Sequence, residues 1–322
     1  MGVRPAAIEG WIAPVIVGPT AGGKSDLALA LCDALHGVRS FGEVVTADSV
    51  QVYRGLDIGS AKPSPEERRG VPHHLIDLVE PDDPVGLTVK DWLGLSERAM
   101  ADVRSRGGLP VVVGGTHLYV KALMEGLFEG PGADESVRDE LRSMGRERLR
   151  AELERADPET ASRLHPNDER RTVRALEVLR LTGRPISQLR GQWDRPGGGR
   201  GDCVLVGLEW PVREINARIN ARVRSMVERG LVEEARALWS AGRLGPRSRG
   251  ALGYAQLIDH FEGRCGFVEA LEAIKIETRR FAKNQRTWLR RLRTIPGGLW
   301  IDAAATPTGE VVRRVLSACG VG

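Results

Sequence analysis

Cysteine is scarce. Cys32, Cys203, Cys265 and Cys319 are the four among 322 residues, and they stand far apart, with no C-x-x-C pair and no histidine at ligand spacing. That argues against a disulfide framework and against the common zinc ligations, and a reducing, cytoplasmic setting is expected. Long apolar runs are missing as well: no stretch approaches the roughly 18 residues needed to span a bilayer. The first residues, MGVRPAAIEGW, lack the apolar core of a signal peptide, so no membrane partner is expected. Aromatics make up 5% of the chain and the net charge is only +4, a weak hint of an anionic partner.

The remaining composition, 41% hydrophobic and 28% charged, is ordinary for a globular protein. The length allows two domains at roughly 100–200 residues each, or one large domain carrying an insertion.

Trp11 to Val17 (WIAPVIV) is an apolar, β-rich run that leads into GPTAGGKSDLA, and Lys24 to Leu35 then carries apolar residues at helical spacing. The order is strand, glycine loop, helix. Glu43 to Ala47 reads as a second strand ending in Asp48. Thr88 to Arg106 reads as a helix stopped by Gly107-Gly108, and Leu109 to Val113 as a fully apolar strand. Short apolar strands alternating with helices predict an α/β fold with a P-loop NTPase-like parallel sheet flanked by helices. Ligands on such a sheet sit at the carboxyl ends of its strands, where Gly18, Asp48 and Gly114 fall.

From Asp134 to Gly201 the chain turns Arg- and Glu-rich and helix-periodic, ending in the glycine run Pro196–Gly201, before Cys203 to Leu208 restores a strand. We therefore expect an all-helical insertion domain at 134–201 within an α/β core formed by 1–133 and 202–322. Beyond Pro211 the pattern is mostly helical. In its richest part, Lys275 to Arg293, eight cationic residues stand against Glu277 alone, a net +7.

The loop at 18–25 fits G-x-x-x-x-G-K-[ST]. In that motif backbone N–H groups at a helix N-terminus form an anion nest, here along the loop Gly18, Pro19, Thr20, Ala21, Gly22 and Gly23, in which Pro19 has no N–H to give, while Lys24 adds a charge and Ser25 can ligate Mg²⁺. Such a nest recognises two linked phosphates and does not say whether they belong to a nucleotide or to an isoprenyl diphosphate. Most phosphoryl-transfer enzymes of this type also place an Asp at the end of a later apolar strand. Here that strand ends in Gly114-Gly115, and the nearest substitute is Asp77 in HHLIDL.

Asp48 can orient Mg²⁺ or act as a general base, or it can serve as a helix N-cap. The basic stretch, with Phe281 and Trp288 among its charges, suits phosphates and unpaired bases, although a charge run can also be a solvated helix face. His73-His74 suggests structural or hydrogen-bonding roles rather than a metal site, because adjacent side chains face apart.

Together, GPTAGGKS at 18–25, ADSVQVYRGLDIGSAKP at 47–63, VPHHLIDL at 71–78, VVVGGTHLYVKAL at 111–123, HPNDERRTVRALEV at 165–178 and RRFAKNQRTWLR at 279–290 make an ordered set. With it, the chain resembles the bacterial tRNA dimethylallyltransferases, also called tRNA isopentenyltransferases. The resemblance implies that the loop holds dimethylallyl diphosphate rather than ATP, with Mg²⁺ as cofactor. It implies Asp48 as the general base toward the N6 nitrogen of the adenosine 3′ of the anticodon, Lys24 and Arg222 on the leaving diphosphate, Thr116 as a further catalytic residue that also contacts tRNA, and Arg138 on tRNA. It further implies tRNA contacts from Asp48, Ser49, Val50, Gln51, Arg170, Arg171, Arg174, Lys283, Gln285, Arg286 and Arg290, with the helical insertion gripping the anticodon arm. A monomer is expected. His117 and Asn284 depart from the family pattern, which bears on tRNA contact rather than on the reaction.

Three other functions compete: a P-loop nucleotide or small-molecule kinase, an RNA-binding protein with a decayed site, and a prenyltransferase of free adenine nucleotides. The long insertion speaks against the last, since a mononucleotide gives it nothing to hold.

Overall fold

The computed structural model describes residues 10–38, 40–127, 130–189 and 200–321. The N-terminal nine residues and Pro196 to Gly199 of the glycine run lie outside the described residues.

The described residues form, in chain order, strand β1 (Ala13–Val17), helix α1 (Lys24–His36), β2 (Gly42–Thr46), β3 (His73–His74), α2 (Val89–Ser105), β4 (Leu109–Val113) and α3 (His117–Glu125). Helices α4 (Glu135–Ser143), α5 (Arg146–Ala156), α6 (Pro158–Arg163), α7 (Glu169–Thr182) and α8 (Ile186–Leu189) follow. Then come β5 (Cys203–Glu209), α9 (Val212–Glu228), α10 (Leu231–Ser240), α11 (Tyr254–Phe261), α12 (Phe267–Leu292), β6 (Leu299–Asp302) and α13 (Thr308–Ala318).

The six strands make one parallel sheet in the order β3-β2-β4-β1-β5-β6. Strands β1, β2 and β4 are buried at every position, as expected where helices cover both faces and neither face can alternate polar with apolar. Successive side chains still point to opposite faces. Ile16, Val44, Val111, Val113 and Val206 therefore join one core with α1 and α13, whereas Val15, Val45, Val112 and Leu205 join another with α2, α3 and the end of α12. A third core lies among α9 to α12 and receives Val52, Tyr53 and Leu56 from the chain that follows β2.

Beyond Pro211 the chain is mostly helical, as expected, and Leu299–Asp302 adds β6 at the sheet edge, in register with Val206 to Glu209. In HHLIDL the strand is His73–His74, and Leu75 and Asp77 instead take left-handed conformations. Gly207 makes room for β6: a Cβ there would lie 2.2 Å from the Trp300 ring.

The chain divides into two compact units, Met1–Met124 with Gly199–Gly322, and Glu125–Gly198. The second begins before the expected Asp134 because its approach is tied to α7: Arg174 donates to the carbonyl of Pro131, and the Asp134 amide donates to Glu177. It ends before Gly201 because Arg200 pairs with Glu97 on α2, and Asp202 with Arg104 on the same helix. Within it, Leu141, Leu149, Leu153, Val173, Leu176 and Ile186 form a separate core.

Candidate active site

The glycine loop leaves β1 at the carboxyl edge of the sheet and ends at the N-terminus of α1. Gly23 has φ 80°, and Gly22 is pressed so closely that a Cβ would lie 2.8 Å from the Pro19 carbonyl oxygen. Lys24 Nζ curls back and donates to the carbonyls of Gly18 (3.1 Å) and Pro19 (2.9 Å). Desolvation, reinforced by the Arg222 guanidinium and opposed by Asp48, lowers the Lys24 pKa to about 8. Arg222 reaches in from α9, with Nη1 3.4 Å from Thr20 Oγ1. Burial pulls its pKa down, and Asp48 works the other way. Ser25 is exposed in the first turn of α1.

Two residues that the motifs did not single out brace this loop from outside. Trp210 Nε1 donates to the Gly22 carbonyl (3.1 Å), and Arg218 Nε donates to that of Ala21 (2.7 Å) while its guanidinium lies 4.5 Å over the Trp210 ring. The signal for Trp210 was its position at the end of β5, the strand beside β1. Nothing local marked Arg218.

Asp48 follows β2. Its Oδ1 accepts from the amides of Val50 (2.8 Å) and Gln51 (3.3 Å), so the capping alternative is met by a turn rather than a helix. No other hydrogen bond to its carboxylate occurs among the described residues. Thr116 is tied to the same turn: its amide donates to the Ala47 carbonyl (3.1 Å), and its Oγ1 accepts from the Ser49 amide (2.9 Å). Gly114 permits that approach, since a Cβ there would lie 2.0 Å from the Ala47 carbonyl oxygen. The acidic strand end of a phosphoryl-transfer enzyme is thus replaced by a glycine contact. Asp77 is no substitute, because its carboxylate pairs at 2.6 Å with the buried Lys62, which also holds Asp57.

The residues that the resemblance places on tRNA have the following partners in this structure. Gln51 Nε2 donates to the carbonyls of Ser60 and Ala61, both at 3.2 Å, and Val50 packs on the third core. Gln285 is turned to the glycine loop, where its Oε1 accepts from the Thr20 amide at 2.7 Å. Arg138 and Arg174 both engage the buried Glu177 within the helical unit. Arg170 and Arg171 are exposed, Arg171 lying 3.4 Å from Asp168.

The basic stretch is less cationic than its count. Lys275 pairs with Glu272, Arg280 with Glu277 and Arg293 with Glu209, while Lys283 and Arg290 are exposed and Nη1 of the half-buried Arg286 has no partner among the described residues. His117 is buried with its ring stacked parallel to Trp288 at 5.8 Å. Desolvation and the Lys24 charge lower its pKa to about 4, so it is a neutral imidazole. Asn284 is exposed. His73 Nδ1 lies 2.8 Å from the Val71 carbonyl and His74 Nε2 lies 2.7 Å from Glu43, in keeping with hydrogen-bonding roles.

A family model described as IPP transferase matches residues 51–292. The chain belongs to the IPP transferase family. The tRNA dimethylallyltransferase 2 of Geotalea uraniireducens (strain Rf4) is 45% identical over 282 residues, 86% of this chain and 88% of that protein. The crystal structure of the tRNA isopentenylpyrophosphate transferase of Bacillus halodurans matches with a TM-score of 0.69 at 35% identity, over 96% of this chain and 97% of that one. A eukaryotic dimethylallyltransferase acting on tRNA matches with a TM-score of 0.79 at 26% identity, over 94% of this chain and 77% of that one. The IPP transferase match thus takes in Gln51, Thr116, Arg222 and Gln285, and among the described residues no helix is long and apolar enough to cross a membrane.

Proposed function

We propose that this IPP transferase is a tRNA dimethylallyltransferase. It moves the dimethylallyl group from dimethylallyl diphosphate to N6 of the adenosine immediately 3′ of the anticodon and releases diphosphate. The observation that carries this reading is the convergence on one glycine loop of Lys24, whose Nζ donates to the Gly18 and Pro19 carbonyls, and Arg222, which reaches Thr20, with Asp48 near enough to act on the charges of both. Two cations suit a departing diphosphate, and one carboxylate suits an amine that must lose a proton.

In the transfer, the bond between the donor's allylic carbon and its diphosphate oxygen breaks with the electron pair leaving on diphosphate, while N6 bonds to that carbon. Asp48 takes the N6 proton on Oδ2, since Oδ1 is committed to the turn. Magnesium fits the donor set, with Ser25 offering one hard oxygen at the N-terminus of α1. Among the described residues no group of three or more His, Cys, Asp or Glu side chains could cage an ion, so diphosphate oxygens would complete the coordination. Bound there, the ion would neutralise leaving-group charge.

On this reading Thr116 and Ser49 flank the acceptor, and Arg170, Arg171, Lys283, Arg286 and Arg290 offer charge to tRNA phosphates. The enzyme acts as a monomer in the cytoplasm. Nothing in the comparisons favours the kinase alternative.

The test is mass analysis of tRNA incubated with the protein, Mg²⁺ and dimethylallyl diphosphate. One prenyl group should appear on the adenosine 3′ of the anticodon. Saturable ATP hydrolysis or phosphoryl transfer without prenylation would overturn the reading.

A further inference from the structure

Gln285 lies on α12, 265 positions from Thr20 and 170 from Gly115, and its side chain joins the two. Oε1 accepts from the Thr20 amide at 2.7 Å, and Nε2 donates to the Gly115 carbonyl at 3.2 Å. The residue is 1% exposed, so its amide has no recourse to water and depends on these partners. Burial of this helix face does not need a polar group, because Ala282 and Leu289 on the same helix already supply apolar contact. Gly115 is fitted to the amide: a Cβ there would lie 2.6 Å from Gln285 Nε2 and 4.0 Å from Lys24 Nζ.

The two ends of this bridge are the two halves of the site. Thr20 belongs to the diphosphate loop. Gly115 precedes Thr116, whose hydroxyl holds the Ser49 amide beside Asp48. We infer that Gln285 is a positioning residue for prenyl transfer, setting the spacing between the diphosphate loop and the turn that carries the base. The inference rests on the reaction proposed above. Reacting groups misplaced by about 1 Å can lose on the order of 10²-fold in rate. The loss should fall on kcat and not on the donor's KM, because the Thr20 N–H is already occupied by Gln285 and is not a donor taken from diphosphate.

The test compares Gln285→Ala, Gly115→Ala and the double variant in steady-state prenylation of tRNA over a range of dimethylallyl diphosphate concentrations, which gives kcat and the donor's KM separately, with thermal melting alongside. Amide hydrogen exchange of residues 18–23, read by mass spectrometry on protein without substrate, reports the bridge independently of activity. Each single variant should slow transfer on the order of 10²-fold with unchanged donor KM. The double should be no slower than Gln285→Ala, because the added methyl then has no amide to displace. Exchange at 18–23 should quicken in Gln285→Ala.

Should Gln285→Ala melt early, Gln285→Glu keeps the acceptor for Thr20 and sets an oxygen against the Gly115 carbonyl, and it should show the same kcat loss. Near-normal transfer by Gln285→Ala, losses that multiply in the double variant, or a raised KM at constant kcat overturns the role. A wild-type protein that prenylates no tRNA overturns the reaction itself, and the role with it.

Discussion

Arg174 Nη1 lies 2.6 Å from Oε2 of Glu177, a carboxylate with no exposed surface, and Arg138 Nε holds the other oxygen at 2.9 Å. The arginine that sequence assigned to a tRNA phosphate is thus part of the interior bracing of the helical unit. Burial alone would raise the Glu177 pKa, but Arg174, the Asp134 amide and Arg138 outweigh it and hold the group below the ordinary carboxylate value. A depressed folded pKa stabilises the fold above the unfolded value and stops doing so as pH falls through the folded one.

Arg174→Ala should therefore destabilise the protein by about 1–3 kcal/mol, the cost of leaving a buried acceptor short of a partner. The loss should be read as a lower urea midpoint at neutral pH and should shrink in acid. Arg170→Ala should leave the midpoint unchanged and weaken tRNA binding in a salt-dependent way in a filter assay. Equal stability effects from both variants would contradict this division of labour.

Asp48→Asn separates the turn contact of that residue from its proposed role as base. An asparagine oxygen still accepts from the Val50 and Gln51 amides, so the turn survives, whereas the base is gone. Turnover should fall about 10²–10⁴-fold, the usual range for losing a general base, with tRNA affinity nearly intact. A variant that turns over normally would leave Asp48 with the capping role alone.

Lys24 gives the reaction an alkaline limit. With its pKa lowered to about 8, the free enzyme loses this charge as pH rises through that value, so kcat/KM for dimethylallyl diphosphate should decline above about pH 8. Bound diphosphate favours the charged form, so the corresponding fall in kcat should come at higher pH. Lys24→Arg cannot lose its charge and should show no such limb, though at lower activity because the planar guanidinium does not reproduce the contacts of Nζ. A limb that persists in Lys24→Arg would belong to another group.

The parts of this molecule legible in sequence are those whose cause is local. WIAPVIV running into the glycine loop marked β1 and α1, and Gly107-Gly108 marked the end of α2. LWID was not legible as β6, because four residues at a half-exposed edge carry no periodicity. The free charge of the basic stretch was overstated for a related reason: Glu272 lies just upstream of the counted window, and Glu209 reaches Arg293 only through the fold. Arg174 and Glu177, three positions apart on one helix, did offer a local signal, and the burial of Glu177 turned that pair into structure. Gln285 offered none, since its partners are distant in the chain.

Trp210 offers a last test on the glycine loop. Ala21 sits at φ 60°, a left-handed conformation that costs a residue with a Cβ about 1–2 kcal/mol. Its carbonyl is held by Arg218, and the neighbouring Gly22 carbonyl by Trp210 Nε1. Trp210→Phe keeps a ring beneath Arg218 but removes the N–H, so the loop should relax away from its anion-binding shape. Losing one such hydrogen bond, about 1 kcal/mol, corresponds to roughly fivefold weaker binding of inorganic diphosphate, read as a higher inhibition constant against prenyl transfer. Affinity for tRNA should not change. Diphosphate inhibition as strong as that of the wild type would mean that the loop keeps its shape without this brace.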